Sequence, residues 1–312
     1  MPYAFAPVPL DSVRETIADL FNLTQEEAVA PGQIHHHIGG DFLLLARDET
    51  GKVAGFGCVA QYPGIERGRE KLTIVVDPGH RGRGSGTALL AALEQQAREN
   101  GATTLYAEIR DDDAAGLAYC ERRGFTRAMQ VYQSRLDLAA FDAAPFAGLV
   151  EALEAEGFRF FRLKGNRSEQ NDRKAYMTAK ETHEDIPGSP EGQPPFETWC
   201  KIVLDSNWFP PEGVLVADDT TQPEIDRFAG FAILEVMPGG KAIYNRFTGT
   251  ARAYRGRKVG LALKLLAVDA ARELGGTYLF TDNNDINTPI VEMNRKLGYV
   301  PSVGHYVISK SL

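Results

Sequence analysis

Two arginine-glycine turns in the sequence could each hold a phosphate group. The first runs from Arg81 to Gly86 and reads RGRGSG, and the second runs from Arg255 to Gly260 and reads RGRKVG. Glycine lets the backbone turn sharply and approach a ligand closely. A helix that starts at such a turn leaves its first N–H groups unpaired and directs its positive end toward the ligand. Because arginine donors match phosphate oxygens, the turns predict a pyrophosphate site.

Two known phosphate motifs do not fit these turns. A P-loop requires GxxxxGK[ST], and this string does not occur in the sequence. A dinucleotide-binding fingerprint requires G-x-G-x-x-G, whereas Gly82, Gly84 and Gly86 are evenly spaced. The remaining alternative is a tight strand-to-helix turn that carries surface arginines. The recurrence of the turn in the same context favours the ligand site over that alternative.

The two turns belong to an internal repeat with an offset of 174 residues. Between Arg81 and Phe125, 14 of 45 residues are identical to the residues 174 positions later. Chance would give about 3 identities, at roughly 6–7% per position from average composition. The chain therefore contains two copies of one structural unit.

Each copy shows the order strand, glycine turn, helix, strand, helix and glycine-aromatic pair. The expected elements of copy one are a strand Leu72–Val76, a helix Thr87–Asn100, a strand Leu105–Ile109 and a helix from Asp113 to about Arg123. Those of copy two are a strand Tyr244–Thr248, a helix Leu261–Leu274, a strand Thr277–Thr281 and a helix Thr288–Leu297. We expect an α/β protein of the α+β type, with tandem domains at residues 1–142 and 143–312. Each domain should be a mixed, mainly antiparallel sheet flanked by helices.

Composition and charge exclude several classes of partner. The formal net charge of -8 and the pI of about 5.4 disfavour nucleic acid, because an acidic surface repels a phosphate backbone. No stretch approaches 18 apolar residues without a charge, so no membrane partner is expected. The three cysteines indicate a reducing compartment, and the N-terminus lacks the features of a signal peptide. A cytoplasmic location is therefore expected.

The turns and their context resemble the GNAT N-acetyltransferase superfamily. Its cofactor motif, [QR]-x-x-G-x-[GA] after the fourth strand, is matched by Arg81, Gly84 and Gly86. In copy two Arg255 and Gly260 match, whereas Lys258 occupies the place of the first glycine. The resemblance covers nearly the whole chain and implies two tandem GNAT-like domains that use acetyl-CoA.

The resemblance also implies which residues bind the cofactor. In copy one these are Val75, Val76, Arg81, Gly82, Arg83, Gly84, Ser85, Gly86 and Thr87, and in copy two Arg255, Gly256, Arg257, Lys258, Val259 and Gly260. The segment TDNNDINTPIVEMNRKLGY is similar to a family pattern at Thr281, Asn283, Asn287, Asn294, Leu297 and Gly298. Asn283 and Asn287 could hydrogen-bond the amides of a pantetheine arm, or they could be loop and N-cap residues.

The catalytic residues are less clearly marked. Many family members carry a proton-donating tyrosine five residues before the aromatic of the glycine-aromatic pair, but Cys120 and Asn294 stand there. Tyr119 is one residue away and is the candidate acid, with a buried core tyrosine as the alternative. Glu70 is the candidate base, with a surface glutamate as the alternative. A backbone N–H of Val75 or Val76 could polarise the acetyl carbonyl.

These observations predict an acetyl-CoA-dependent N-acetyltransferase that acts on a primary amine of a small molecule. The alternative is a non-catalytic acyl-CoA-binding scaffold or sensor in which one or both halves are inactive. No metal is expected, because consecutive histidines such as His35-His36-His37 cannot readily converge on one ion. The acceptor should contact loops such as Asn22–Gly40 and Ile186–Pro195. The chain is expected to be a monomer with an internal pseudo-dimer, or a homodimer.

Overall fold

The chain folds into two compact units, each of which contains one copy of the repeat. The computed structural model describes residues 3–25, 28–39, 42–62, 65–186, 193–206, 209–284 and 287–312. Unit 1 comprises Met1–Val131 and Val303–Leu312, and unit 2 comprises Tyr132–Ser302. The expected fold class is confirmed, since each unit has a mixed sheet flanked by helices. No helix within the described ranges is long and apolar enough to cross a membrane.

Unit 1 is built on a sheet with the strand order β1-β2-β3-β4-β5-β12. All neighbours in it are antiparallel except β4 and β5, which are parallel. Its elements are β1 (Ala4–Pro7), α1 (Arg14–Asn22), α2 (Ile34–Ile38), β2 (Phe42–Arg47), β3 (Val53–Ala60), β4 (Arg69–Val76), α3 (Ser85–Glu99), β5 (Thr104–Arg110), α4 (Ala114–Glu121), the first part of β6 (Thr126–Asp137) and the last part of β12 (Val300–Ser311).

Unit 2 repeats this plan with the strand order β7-β8-β9-β10-β11. Here β10 and β11 are the parallel pair. Its elements are α5 (Leu149–Ala155), β7 (Phe158–Arg162), α6 (Glu169–Glu184), α7 (Phe196–Trp199), β8 (Val214–Asp219), β9 (Gly230–Val236), β10 (Ala242–Thr250), α8 (Val259–Glu273), β11 (Tyr278–Asn284) and α9 (Thr288–Lys296). A π-helical turn, Cys200–Leu204, continues α7.

Alternating side chains bury both faces of each sheet. In unit 1, Phe56 packs with α1 and α2, while Leu72 and Leu105 pack with α3 on the opposite face. In unit 2, Leu234 packs with α8 and Phe231 packs with α6 and α7. Period-two alternation is the expected pattern of strands covered on both faces by helices.

In both units the parallel strands stop pairing halfway along. Strands β4 and β5 pair only at Arg69–Lys71, and β10 and β11 pair only at Ala242–Tyr244. Beyond these residues each pair diverges toward the glycine turn that follows β4 or β10. A groove therefore opens in each sheet beside the turn.

Strand β10 contains a one-residue bulge that β4 lacks. The pairing of β10 with β9 shifts between Asn245 and Phe247, whereas the pairing of β4 with β3 is continuous. The paired residues of β4 and β10 are consequently related by an offset of 173, and all later equivalent residues by 174. The bulge therefore accommodates one extra residue in copy two, which the ungapped comparison of the two copies did not reveal.

The division of the chain differs from the expected boundary after residue 142. One transition between the units falls within β6 and the other within β12. Tyr306 and Ile308 of β12 pack into the core of unit 1, and Leu136 of β6 packs into the core of unit 2. Most of β12, the last strand of copy two, therefore belongs to unit 1, and the second half of β6, the last strand of copy one, belongs to unit 2. The sequence cannot show which sheet each of these strands joins, because the two similar sheets have equivalent edges with which β6 or β12 could pair.

Ile308 provides a test of this assignment. Ile308→Ala should lower the free energy of unfolding by about 2–5 kcal/mol, because the side chain is buried in unit 1. Hydrogen exchange followed by mass spectrometry should show faster exchange in β3 and β5, with little change in β8 and β9. Val307→Ala is the matched control, since Val307 is only partly buried. Faster exchange in β8 and β9 with β3 and β5 unchanged would contradict the assignment of this strand to unit 1.

Candidate active site

The turn of unit 1 presents unpaired backbone donors at the mouth of its groove. Gly82 and Gly84 have φ of 73° and 91°, in the left-handed region that glycine enters without strain. Gly84 is the N-cap of α3, and no side chain caps this helix end. The N–H groups of Ser85, Gly86 and Thr87 therefore remain available at the positive end of the helix. This arrangement suits an anion such as a diphosphate.

The two arginines of this turn have no acidic partner among the residues that the structure describes. Arg81 Nε donates to the carbonyl oxygen of Val76 at 3.1 Å, which fixes the turn against the end of β4. Neither Arg81 nor Arg83 forms an ion pair with another described residue, and both are exposed. Their charges are available to phosphate oxygens. Thr87 Oγ1 accepts a hydrogen bond from Arg123 at 2.7 Å, so its hydroxyl is already oriented.

The end of β4 directs one backbone donor into the groove. Asp77 N–H donates to Ala54 across the β3–β4 pair at 2.9 Å. Successive N–H groups of a strand point to opposite sides, so the Val76 N–H points away from β3 and toward the gap. The Val75 N–H points back to β3. Of the two expected carbonyl-polarising residues, Val76 has the suitable direction.

Tyr119 lies beside this end of the groove. A Cβ placed on Gly86 would lie 3.5 Å from Val76 Cγ2 and 3.7 Å from the Tyr119 hydroxyl oxygen. That hydroxyl is buried and has no hydrogen-bond partner among the described residues. The Arg123 guanidinium stacks 3.6 Å from the Tyr119 ring centroid and holds the ring in place. A buried hydroxyl without a partner is costly, which a bound ligand would relieve.

Glu70 lies at the opposite end of β4 from the turn. It is buried, and its two carboxylate oxygens accept hydrogen bonds from Asn100 Nδ2 at 3.0 and 3.2 Å. These contacts tie the start of β4 to the end of α3. The geometry gives Glu70 a structural position and does not bring it together with Val76 or Tyr119.

The turn of unit 2 has the same backbone but different electrostatics. Lys258 takes the place of Gly84 with φ of 66°, a conformation that costs a non-glycine residue about 1 kcal/mol. Arg255 Nε donates to Thr250 at 3.4 Å, as Arg81 does to Val76. Val259 and Gly260 are buried at the start of α8, and Gly256 repeats the left-handed turn of Gly82.

The arginines around the second turn are neutralised. Arg255 forms an ion pair with Asp185, which also pairs with Arg252 at 2.7 Å. Arg257 pairs with Glu156 at 3.2 Å. Because these carboxylates already neutralise the arginine charges, the second turn attracts a phosphate less strongly than the first. Asn283 is buried on β11, and Asn287 is the N-cap of α9 without a capping side-chain bond.

A charged pair that sequence reasoning missed lies where β4 and β5 stop pairing. Lys71 Nζ donates to Glu108 at 2.8 Å. Desolvation opposes ionisation of Glu108, but the charges of Lys71 and His305 outweigh it and lower the pKa of Glu108 to about 2. Tyr62 lies beside this pair, and burial raises its pKa. Long-range pairing brings these residues together, so no local motif marks them.

Unit 2 places a different polar set at the equivalent point. Tyr244 donates to Asp282 at 3.0 Å, and these residues occupy the positions of Lys71 and Glu108. Burial raises the pKa of Tyr244, and the Asp282 carboxylate raises it further. Glu235 is buried beside the bulge, and burial raises its pKa although Arg246 donates to it at 3.0 Å.

Where β10 and β11 stop pairing, the sheet face opposite Tyr244 and Asp282 carries a group of residues that we call the polar interior. It consists of five buried polar residues: Asn245, Lys264, Thr281, Asn283 and Asn294. Lys264 is only 2% exposed, and its Nζ donates to Asn245 Oδ1 at 2.8 Å. Desolvation lowers the pKa of Lys264 to about 7.

The three consecutive histidines lie in α2 and not in an open loop as expected. Burial lowers the pKa of His35. Within the described ranges, no cluster of three or more His, Cys, Asp or Glu residues could hold a metal ion. Of the expected acceptor loops, Asn22–Gly40 contains α2, and most of Ile186–Pro195 lies outside the described residues.

The diverging parallel strands and the helix that starts at a left-handed turn recur in both units and define a tandem acetyltransferase fold. The model of the acetyltransferase (GNAT) family matches residues 11–125 and 176–299, so the chain belongs to this family and is an N-acetyltransferase. The expected tandem GNAT organisation is confirmed.

Two relatives and one solved structure match nearly the whole chain. The mycothiol acetyltransferase of Nocardia farcinica is 27% identical over 94% of this chain and 91% of its own length. That of Geodermatophilus obscurus is 28% identical over 91% of this chain and 87% of its own. A tandem GNAT protein from the clavulanic acid biosynthesis pathway has the same fold, with a TM-score of 0.76, 17% identity and coverage of 99% and 98% of the two chains.

Lys264 predicts a pH dependence of stability in unit 2. An unfolded lysine has a pKa near 10.4, so the unfolded state binds more protons than the native state between about pH 7 and pH 10. The free energy of unfolding should therefore rise with pH across this window, by at most about 1.4 kcal/mol per pH unit from this group. Lys264→Leu should remove that rise.

Urea unfolding followed by tryptophan fluorescence measures this effect in unit 2, because both tryptophans lie between residues 132 and 302. Lys296→Met, an exposed lysine on α9, is the control that should retain the wild-type slope. Parallel curves for wild type and Lys264→Leu would show that Lys264 keeps its ordinary pKa in the folded chain.

Proposed function

We propose that this chain transfers the acetyl group of acetyl-CoA to a primary amine of a small molecule, with the donor bound in unit 1. The observation that carries the proposal is the contrast between the two turns. The turn of unit 1 has open N–H groups, and Arg81 and Arg83 form no ion pair with another described residue, whereas Arg255 and Arg257 of unit 2 are already paired with carboxylates. The small-molecule acceptor is supported by the mycothiol acetyltransferases to which the chain is similar.

The geometry supports direct transfer. The diphosphate would lie on the N–H groups of residues 85–87, and the acetyl carbonyl would accept a hydrogen bond from Val76 N–H. The amine nitrogen attacks this carbonyl carbon, the bond between carbon and sulfur breaks, and the amine releases a proton to water. Tyr119 donates its hydroxyl proton to the departing thiolate, so that CoA leaves as the thiol, and water returns a proton to the Tyr119 oxygen. Positioning both reactants in one groove supplies much of the rate.

Glu108 supports an amine as the acceptor. Its ionised carboxylate lies at the point where the groove opens, on the sheet face opposite α3. Lys71 uses only one carboxylate oxygen, Oε2, so the other oxygen can accept a hydrogen bond from the acceptor amine. Lys71 holds the carboxylate in place and keeps it ionised.

Unit 2 fits the alternative of a half that does not catalyse acetyl transfer. Met293 occupies the position of Tyr119, so this half lacks the hydroxyl that would protonate the thiolate. Its arginines are paired, and Lys258 replaces the glycine of the turn. We therefore assign the transfer to unit 1.

Acetyl-CoA binding tests this assignment with two matched variants. Gly84→Asp should weaken binding at least about tenfold, because a carboxylate at the helix N-terminus repels the diphosphate. There is space for the side chain, and aspartate tolerates the left-handed backbone, so the variant should fold. Lys258→Asp, at the equivalent N-cap of unit 2, should bind acetyl-CoA as wild type does. Isothermal titration gives both affinities, and the reverse result would move the donor to unit 2.

Tyr119→Phe tests the proton donor. The variant should lower kcat by about 10²-fold while the affinity for acetyl-CoA stays unchanged, because only the hydroxyl is lost. Release of CoA thiol across a panel of small amines measures kcat. Tyr132→Phe, an exposed tyrosine, is the control. Unchanged kcat for Tyr119→Phe would mean that water or another group protonates the thiolate.

A further inference from the structure

A histidine joins the first glycine turn to two neighbouring segments of unit 1. His80 ends the short 3₁₀ helix Pro78–His80 and directly precedes Arg81. Its Nδ1 lies 3.3 Å from the Tyr3 hydroxyl oxygen, and its Nε2 lies 3.9 Å from Asp48 Oδ2. Tyr3 precedes β1, and Asp48 begins the loop between β2 and β3. We call Tyr3, His80 and Asp48 the turn anchor.

The Asp48 carboxylate of the turn anchor is fixed and charged. Its Oδ1 accepts hydrogen bonds from the N–H and the hydroxyl of Thr50 at 2.9 and 2.7 Å, and from the Lys52 N–H at 3.0 Å. The Thr50 hydroxyl lowers the pKa of Asp48, and the two N–H groups lower it further against the effect of desolvation. The carboxylate is therefore ionised throughout the range of about pH 5–8 in which histidines titrate.

An equivalent carboxylate stands beside the second turn. Tyr254 lies 174 residues after His80 and likewise directly precedes the arginine of its turn. Asp219 matches Asp48, because its Oδ1 accepts hydrogen bonds from the N–H and the hydroxyl of Thr221, two residues later, at 3.0 and 2.6 Å. Burial raises the pKa of Tyr254, and the Asp219 carboxylate raises it further. Unit 2 therefore has a tyrosine that stays neutral where unit 1 has a histidine that can be charged.

The aromatic member of the turn anchor also has an equivalent in unit 2. Phe158 pairs with Asp219 between β7 and β8, and the register of β1 with β2 sets Tyr3 opposite Asp48 in the same way. The ring of Phe158 lies 5.9 Å from that of Tyr254 at an angle of 74°. The corresponding rings of the turn anchor lie 6.0 Å apart at 72°. The same geometry built from different residues points to a role in holding the turn, and the titratable group is particular to unit 1.

The groups around the His80 ring determine how its charge acts. From other segments, Asp48 and Tyr3 contact the ring, and its own segment contributes Asp77 and Arg81. Asp77 accepts a backbone N–H at 2.8 Å and Arg81 donates to a backbone carbonyl at 3.1 Å, so both have other partners. A protonated His80 pairs with the Asp48 carboxylate and adds a positive charge beside Arg81, whereas a neutral His80 does neither.

We propose that His80 is a positioning residue that makes acetyl-CoA binding in unit 1 pH-dependent, with tighter binding when the imidazole is protonated and paired with Asp48. This inference rests on the proposed function, because it takes the turn of unit 1 as the donor site. The imidazolium ties the turn to the loop between β2 and β3 and attracts the diphosphate. Bound diphosphate in turn favours the protonated form, so protons are taken up when acetyl-CoA binds near neutral pH.

Isothermal titration with acetyl-CoA between pH 5.8 and pH 8.0 tests the proposal, with His80→Tyr as the matched variant. This variant introduces the residue of unit 2, which keeps a hydroxyl for Asp48 but carries no charge. The ratio of its dissociation constant to that of wild type should rise at least about threefold as the pH falls from 8.0 to 5.8. The ratio cancels the titration of the phosphate monoester of CoA, which affects both proteins equally. His183→Gln, a change in α6 of unit 2, should give a ratio that does not vary with pH.

Two further variants separate a positioning role from a folding defect. His80→Phe keeps a ring but cannot bond Asp48, so at pH 8.0 it should weaken acetyl-CoA binding more than His80→Tyr does. Asp48→Asn keeps an oxygen for the Thr50 bonds but loses the charge, so NMR should show His80 taking up its proton at lower pH than in wild type. Circular dichroism of each variant should match wild type. A ratio for His80→Tyr that is constant with pH, or a His80 titration that Asp48→Asn leaves unchanged, would overturn the proposal.

Gly84→Asp distinguishes a failure of this inference from a failure of the proposed function. If Gly84→Asp loses acetyl-CoA binding while the His80→Tyr ratio stays constant, the donor site of unit 1 stands and the role of His80 is wrong. If Gly84→Asp binds acetyl-CoA as wild type does, the proposed donor site is wrong, and the inference on His80 fails with it.

Discussion

The end of hydrogen bonding between β4 and β5 is the constraint on which the site of unit 1 depends. After Lys71 the two strands separate, and Val76 directs its N–H into the gap. The same separation leaves the start of α3 uncovered, so the donors of its first turn face the opening. A continuous ladder would satisfy the Val76 donor within the sheet and close the path between the two faces. The candidate site thus lies where the backbone pairing of the sheet is incomplete.

The two units show how one backbone supports different chemistry. Gly84 before α3 and Lys258 before α8 both have a left-handed backbone conformation, although only one of them is glycine. The difference lies in charge: carboxylates from α6 and α5 occupy the arginines of unit 2, whereas those of unit 1 remain available. Below the turn, unit 1 is lined with apolar side chains and unit 2 with amides and an amine. The two units therefore share a backbone conformation but differ in the side chains that line it.

The sequence was sufficient for the fold class and the glycine turns, because these rest on local signals such as Arg81, Gly84 and the repeat itself. It was insufficient wherever distant segments meet. Glu70 resembled a candidate base by its place before Val76, but Asn100 from the end of α3 occupies its carboxylate. The pairs Lys71–Glu108 and Tyr244–Asp282 depend on strand register, which no motif reports. The ungapped comparison also did not reveal the bulge at Arg246. The extra residue precedes the matched segment 255–299, so it does not change the alignment of that segment.

The placement of the last strands determines when the molecule can finish folding. Unit 1 contains copy one of the repeat, yet it also includes Val303–Leu312, which follow copy two in the sequence. The β5 edge of unit 1 therefore stays unpaired during synthesis until residues 303–312 have left the ribosome, although domains commonly fold in order of synthesis. If the chain were cut between the two sequence repeats, the first fragment would contain β6, which contributes to unit 2, and the second would contain β12, which contributes to unit 1. A cut between the two sequence repeats would therefore not follow the boundary between the two structural units.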